Sequence, residues 1–106
     1  MTDTPTPAYV VANFEVHDAD TYRVYEKGFF PILKKHDGEF FTFDDAPLHF
    51  EGEAPRNGRM VLLKFPSEEQ AKAWYDDPDY QALSEHRRAG TTLHFLTMVH
   101  GMAQRG

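Results

Sequence analysis

Residues 59–65 read RMVLLKF. Alternate side chains of a strand point to opposite faces, so Val61, Leu63 and Phe65 share one face and Met60 and Leu62 the other. An antiparallel sheet with one wet face alternates apolar and polar residues, and this strand does not. Residues 92–100, TLHFLTMVH, repeat the pattern, with Leu93, Phe95 and Val99 expected opposite Leu96 and Met98. Both faces of the sheet that these strands build need cover.

Outward from this strand, turn and cap residues punctuate the chain. Downstream, FPSEEQAKAWYDDPDYQALSEHRRAG (65–90) opens with Ser67 as N-cap and Gln70 three residues on, the spacing of a capping box. Pro78 restarts this second helix after Asp77, and Tyr80, Leu83 and Arg87 follow at helical spacing until Gly90. Upstream of the loop APRNG (54–58), GEFFTFDD (38–45) is a strand that LHFEGE (48–53) either continues or extends as a small hairpin.

Before it, DADTYRVYEKGFFPILKKHDG (18–38) is the first helix. Asp18 is placed to accept from free backbone N–H groups, and Tyr22, Tyr25, Phe29, Ile32, Leu33 and His36 recur at helical spacing. Gly28 and Pro31 predict a kink or two short helices, and Gly38 a C-terminal stop. YVVANFEV (9–16) is the first strand, with Val10, Ala12, Phe14 and Val16 opposite Tyr9, Val11, Asn13 and Glu15. The order is βαββαβ, the ferredoxin-like α+β arrangement: a four-stranded antiparallel sheet with both helices on one face.

Two helices cover one face only, so the other calls for a second subunit. Packing two such sheets face to face removes roughly several hundred Å² of apolar surface per chain, on the order of 10 kcal/mol gross at about 25 cal/mol per Å². Even after the costs of association this predicts a homodimer.

A chain of 106 residues has room for a single domain, expected over residues 8–101, with residues 1–7 as a flexible leader and 102–106 as a tail. Nine Phe and five Tyr supply ample apolar area for a core. The net charge of −6 argues against a nucleic-acid partner, which needs clustered Lys and Arg. Cysteine is absent, which removes disulfides and thiolate chemistry together. No apolar run approaches the roughly 20 residues of a membrane span, and the N-terminus lacks a signal pattern, so a cytoplasmic protein with no membrane partner is expected.

The segment FPSEEQAKAWYDDPDYQ, residues 65–81, resembles the domain-of-unknown-function family DUF1330 of the dimeric α+β barrel superfamily. Phe65, Pro66, Ser67, Ala71, Trp74, Tyr75, Pro78, Tyr80 and Gln81 carry the resemblance. It extends through YVVANFEVHDADTY with Asp18 and Tyr22, Pro31, HDGEFF and the EGE at Glu51, over about residues 9–101. Ala54 departs from the pattern, where relatives carry Trp. The resemblance implies a ferredoxin-like fold and a homodimer whose two sheets form a barrel. It implies no particular reaction, since the wider superfamily resembles a mixture of cofactor-free monooxygenases, isomerases, haem-degrading enzymes and plain binders.

Candidate chemistry concentrates on the aromatic faces of the helices. Trp74, Tyr75, Tyr80, Tyr22 and Tyr25 are expected to look toward the sheet, where they are either core or the walls of a pocket. Arg59 and Arg87 can each hold a carboxylate through two parallel hydrogen bonds, or spend themselves on surface ion pairs. The candidate ligand-binding set is therefore Tyr25, Arg59, Trp74, Tyr80 and Arg87, with His49 ranked below the arginines.

The six histidines form no compact metal motif. His94 and His100, expected on one strand face, stand roughly 20 Å apart at about 3.3 Å per residue. Asp44, Asp45, Asp76 and Asp77 sit at turns and Asp79 in a first helical turn, where carboxylates serve as caps. There is no strained Gly-x-Ser-x-Gly turn and no phosphate-cradling glycine loop, so no nucleotide cofactor and no metal is expected.

Two function classes fit these residues. One is a homodimeric small-molecule-binding protein, extending to a cofactor-independent enzyme acting on a small aromatic or carboxylate-bearing substrate, with haem binding as a variant. The other is a structural or interaction module whose aromatic residues are only core. A cavity shared by Trp74, Tyr80 and both arginines separates the two.

Overall fold

The structure is a computed structural model that describes residues 6–53 and 58–102. Most of the expected leader, most of the tail and most of the loop APRNG, including Ala54, lie outside the described residues. The elements are β1 (Ala8–Val16), α1 (Ala19–Lys35), β2 (Glu39–Asp44), β3 (Arg59–Phe65), α2 (Glu68–Asp76), α3 (Pro78–Gly90) and β4 (Thr91–His100). The four strands are antiparallel throughout, in the order β2-β3-β1-β4.

Local chemistry explains the boundaries. Asp18 caps α1, accepting from the Thr21 N–H at 3.1 Å and the Thr21 hydroxyl at 2.8 Å. Those bonds hold its carboxyl below the usual carboxylate range. Ser67 caps α2 by accepting from the Gln70 N–H at 3.2 Å. Asp77 ends α2 and caps α3, accepting from the Asp79 N–H at 2.8 Å, with Pro78 in the first turn. The same carboxylate takes His36 Nε2 at 2.7 Å and Lys35 Nζ at 2.9 Å, pinning the end of α1 to the α2–α3 junction. His36 first, then Lys35 and the Asp79 N–H, hold the Asp77 carboxyl well below its ordinary value.

The strands register as the alternation requires. Val10 pairs with Leu63, and Ala12 with Val61 and Leu96, on the helix-covered side. Tyr22, Tyr25, Phe29 and Leu33 of α1, with Trp74 of α2 and Tyr80 of α3, pack onto that side and form the core with it. On the opposite side lie Tyr9, Val11, Met60 and Leu62, an apolar surface that none of the described helices covers, and between them the fully buried Asn13, whose Nδ2 donates to the Arg59 carbonyl at 3.2 Å. Phe95 at 37% exposure and Val99 at 46% continue it across β4.

Some expectations need correcting. β4 carries a bulge opposite Asn13/Phe14, so Leu93 pairs with Phe14 on the helix side while Phe95 pairs with Asn13 on the open side. The bulge also separates His94 from His100. His94 bonds Glu15 of the open side at 2.9 Å, whereas His100 pairs with the core residue Ala8 and bonds Glu68 of α2.

The helix α1 runs unbroken through Gly28 and Pro31, so it is not two short helices. Pro31 is exposed while Phe29 and Leu33 are buried, and this packing outweighs the local cost of a missing N–H. The left-handed residue after α1 is Asp37, with φ 60°, rather than Gly38. A side chain at Gly38 would collide with Leu33 and Phe65, so this glycine serves close packing. Residues 48–53 neither continue β2 nor form a hairpin: β2 ends at Asp44, and Leu48 and Phe50 are exposed.

Candidate functional site

Between the helices and the covered face of the sheet lies a cavity of about 110 Å³. Its floor is Val10, Ala12, Phe14, Val61, Leu63 and Leu96, the inward residues of three adjacent strands. Helical periodicity builds its walls. Tyr22, Tyr25 and Phe29 come from one face of α1, and Tyr80 and Arg87, two turns apart, from one face of α3. Trp74 closes the side formed by α2. Phe30, Phe43, Glu26 and Arg59 line the end nearer solvent, where the first three are about half exposed.

All five residues singled out from sequence, Tyr25, Arg59, Trp74, Tyr80 and Arg87, line this one cavity. Trp74 and Tyr80 are 2% and 1% exposed, with ring centroids 4.3 Å apart. Tyr25 meets Tyr80 edge-on, and the two hydroxyl groups hydrogen-bond at 2.8 Å. Tyr75 does not line this cavity: it is 39% exposed, with its ring 6.3 Å from that of Trp74 and 6.1 Å from that of Tyr80. His49 is exposed, bonds the Gly52 carbonyl and stays outside the cavity.

The two arginines differ. Arg59 is neutralised, bonding Asp45 through Nε at 2.7 Å and Nη2 at 3.2 Å, with Glu26 at 3.6 Å and the Phe43 ring beneath its guanidinium at 4.4 Å. The hydrogen bond from Arg59 holds the Asp45 carboxyl below its usual range. Arg87 is 4% exposed, and its Nε and Nη1 have no hydrogen-bond partner. No carboxylate lies within ion-pair distance of it among the described residues, and only the Tyr25 ring, 5.8 Å away, faces its charge. Trp74 Nε1 is likewise buried without an acceptor.

The Tyr22 and Tyr25 phenols stay protonated at any physiological pH. Burial pushes the Tyr22 hydroxyl up to about 12, against the opposing pull of Arg59, and pushes Tyr25 well above its ordinary value. The cavity thus offers neutral O–H and N–H donors and one unpaired cation, a set suited to holding or stabilising negative charge on oxygen. Glu26 is the one carboxylate among the lining residues, and Arg59 stands beside it.

Glu26, Phe40 and Phe43 were missed in the sequence. Glu26 precedes Phe29 and Phe30 on α1, one residue after Tyr25, a signal that helical spacing could have supplied. Phe40 and Phe43 both face the cavity only because β2 bulges between Phe40 and Thr42, which no alternation pattern reveals. Among the described residues, no group of three or more His, Asp or Glu is placed to hold a metal. No helix among them is long and apolar enough to cross a membrane.

Solved structures share this architecture. The protein RPA0582 of Rhodopseudomonas palustris, of unknown function, superposes with a TM-score of 0.72 at 14% identity, over 99% of this chain and 88% of that one. SnoaB, a cofactor-independent oxygenase from Streptomyces nogalater, gives 0.58 at 14% identity, over 95% and 96%. A dimeric ferredoxin-like protein of unknown function from Thermobifida fusca gives 0.52 at 16% identity, over 98% and 96%. At such identities the likeness establishes the ferredoxin-like α+β fold alone. No curated protein matches the sequence. The model of the family described as Domain of unknown function (DUF1330) matches residues 7–102, the whole of the sheet and helices built above, and the chain belongs to that family.

Proposed function

We propose that this protein is a homodimeric small-molecule-binding protein, one domain over residues 8–101. Its ligand, a small aromatic or carboxylate-bearing organic molecule, occupies the cavity between helices and sheet through Tyr25, Arg59, Trp74, Tyr80 and Arg87. The observation that carries this reading is the convergence of those five residues on one aromatic-walled cavity, with a buried guanidinium that lacks a counter-ion. A core built only for stability would put an apolar side chain at position 87.

The homodimer rests on the open face of the sheet, where Met60, Leu62, Phe95 and Val99 remain partly exposed. A similar fold in a dimeric protein supports it. Cofactor-independent catalysis is the finer form of the proposal: protonated phenols and a cation in a sequestered cavity stabilise an enolate or carboxylate without a prosthetic group. That SnoaB is a cofactor-independent oxygenase on the same fold is in keeping with it. A cytoplasmic setting belongs to the same reading.

A thermal-shift screen of the intact protein against a panel of small organic acids and their neutral analogues tests the reading. Binding to the folded state raises the melting temperature with ligand concentration. A concentration-dependent rise with a subset of the panel is expected. A flat response across all of it would favour the alternative, a structural module whose aromatic residues are only core.

A further inference from the structure

Arg87 and Arg59 divide the charge of the cavity unequally. Asp45 and Glu26 already answer Arg59 at the more open end, so a second anionic group on the ligand would meet no unpaired cation there. Arg87, by contrast, is buried and pairs with no carboxylate among the described residues, its guanidinium 5.8 Å from the ring of Tyr25, whose hydroxyl bonds that of Tyr80. In the Tyr25–Tyr80 hydroxyl pair one phenol donates to the other, so the accepting phenol retains its own O–H for a third group. A buried cation with uncommitted N–H groups next to a spare O–H matches one carboxylate. The volume keeps the rest small: about 110 Å³ lies below the roughly 150 Å³ of an apolar cavity that takes one benzene ring, so one ring is held only by also using the half-exposed end at Phe30 and Phe43, and a fused polycycle would not be enclosed.

We infer that the ligand is a one-ring aromatic monocarboxylate, its carboxylate on Arg87 and the Tyr25–Tyr80 pair and its ring against Trp74 and Phe29. This rests on the pocket proposed above and adds the charge, number of rings and orientation of what fills it. The chain's net charge of −6 opposes indiscriminate anion binding, so a preference for an anion reports the local guanidinium.

The test is a fluorescence titration of the wild-type protein with benzoate and with benzamide, its neutral counterpart of nearly the same shape. Trp74 is the sole tryptophan and lines the cavity, so quenching reports occupancy of this site. Benzoate is expected to bind at least about tenfold more tightly than benzamide, as one charge-assisted hydrogen-bond pair implies. Arg87→Met is expected to abolish that preference while benzamide still binds. The wild-type comparison stands by itself if the variant does not fold. Equal affinity for the two probes would overturn the carboxylate assignment and leave the pocket standing. Quenching by neither probe, together with a flat thermal-shift screen, would overturn both.

Discussion

The two faces of the sheet are built from alternate residues of the same strands, yet each breaks the usual rule of burial in the opposite sense. The covered face packs Val10, Ala12, Phe14, Leu63 and Leu96 under three helices and then admits a charge, Arg87, with no carboxylate among the described residues to answer it. The open face leaves Phe95 and Val99 more than a third exposed, while its one fully buried polar residue, Asn13, has an unpartnered Oδ1. A lone buried cation and a wide exposed apolar face are both costly. Under the proposed function, a ligand would complete one side and a second copy of the chain the other.

Substitutions that act on one face alone sharpen this contrast. The largest effect is expected from Trp74→Ala, which empties an almost fully buried wall of the cavity and should cost about 3–5 kcal/mol in chemical denaturation. Leu62→Asp places a carboxylate at the centre of the open face, and should convert dimer to monomer in sedimentation while ligand quenching of Trp74 persists in the folded fraction. If Leu62→Asp remains dimeric, the association uses another surface.

Arg87→Met carries the opposite sign. Removing an unpaired buried charge for an apolar side chain of similar length should stabilise the ligand-free protein by about 1–4 kcal/mol, at the expense of anion binding. Tyr25→Phe removes one member of the hydroxyl pair and should cost about 1 kcal/mol.

The smallest effect sought is the pH dependence of Asp77→Asn. The folded-state pKa of Asp77 is depressed, so its stabilisation is fully present above the ordinary value of 3.8 and fades as pH falls toward the lower folded value. The wild type should therefore melt higher than the variant at neutral pH, and the gap should narrow below about pH 4.

Sequence reasoning reached the element order, the caps at Asp18 and Ser67, the helix restart at Pro78, and the two-faced strand RMVLLKF, because each rests on local chemistry or a period of two. It failed where one extra residue changes the phase. The bulges in β2 and β4 bring Phe43 and Leu93 to the covered face, and neither bulge has a marker in the sequence. It also failed where packing overrides propensity, as at Pro31 inside α1. Of the site, the positions of Tyr25, Tyr80 and Arg87 follow from helical spacing. That Asp45 pairs with Arg59 depends on how β2 and β3 meet, a long-range pairing that no local pattern encodes.

The most direct test of an incomplete single chain is sedimentation velocity of the wild-type protein at micromolar concentration. The account predicts a folded species of twice the chain mass, stable on dilution through that range. A folded, soluble monomer under the same conditions would contradict it, since the open face would then persist in water uncovered.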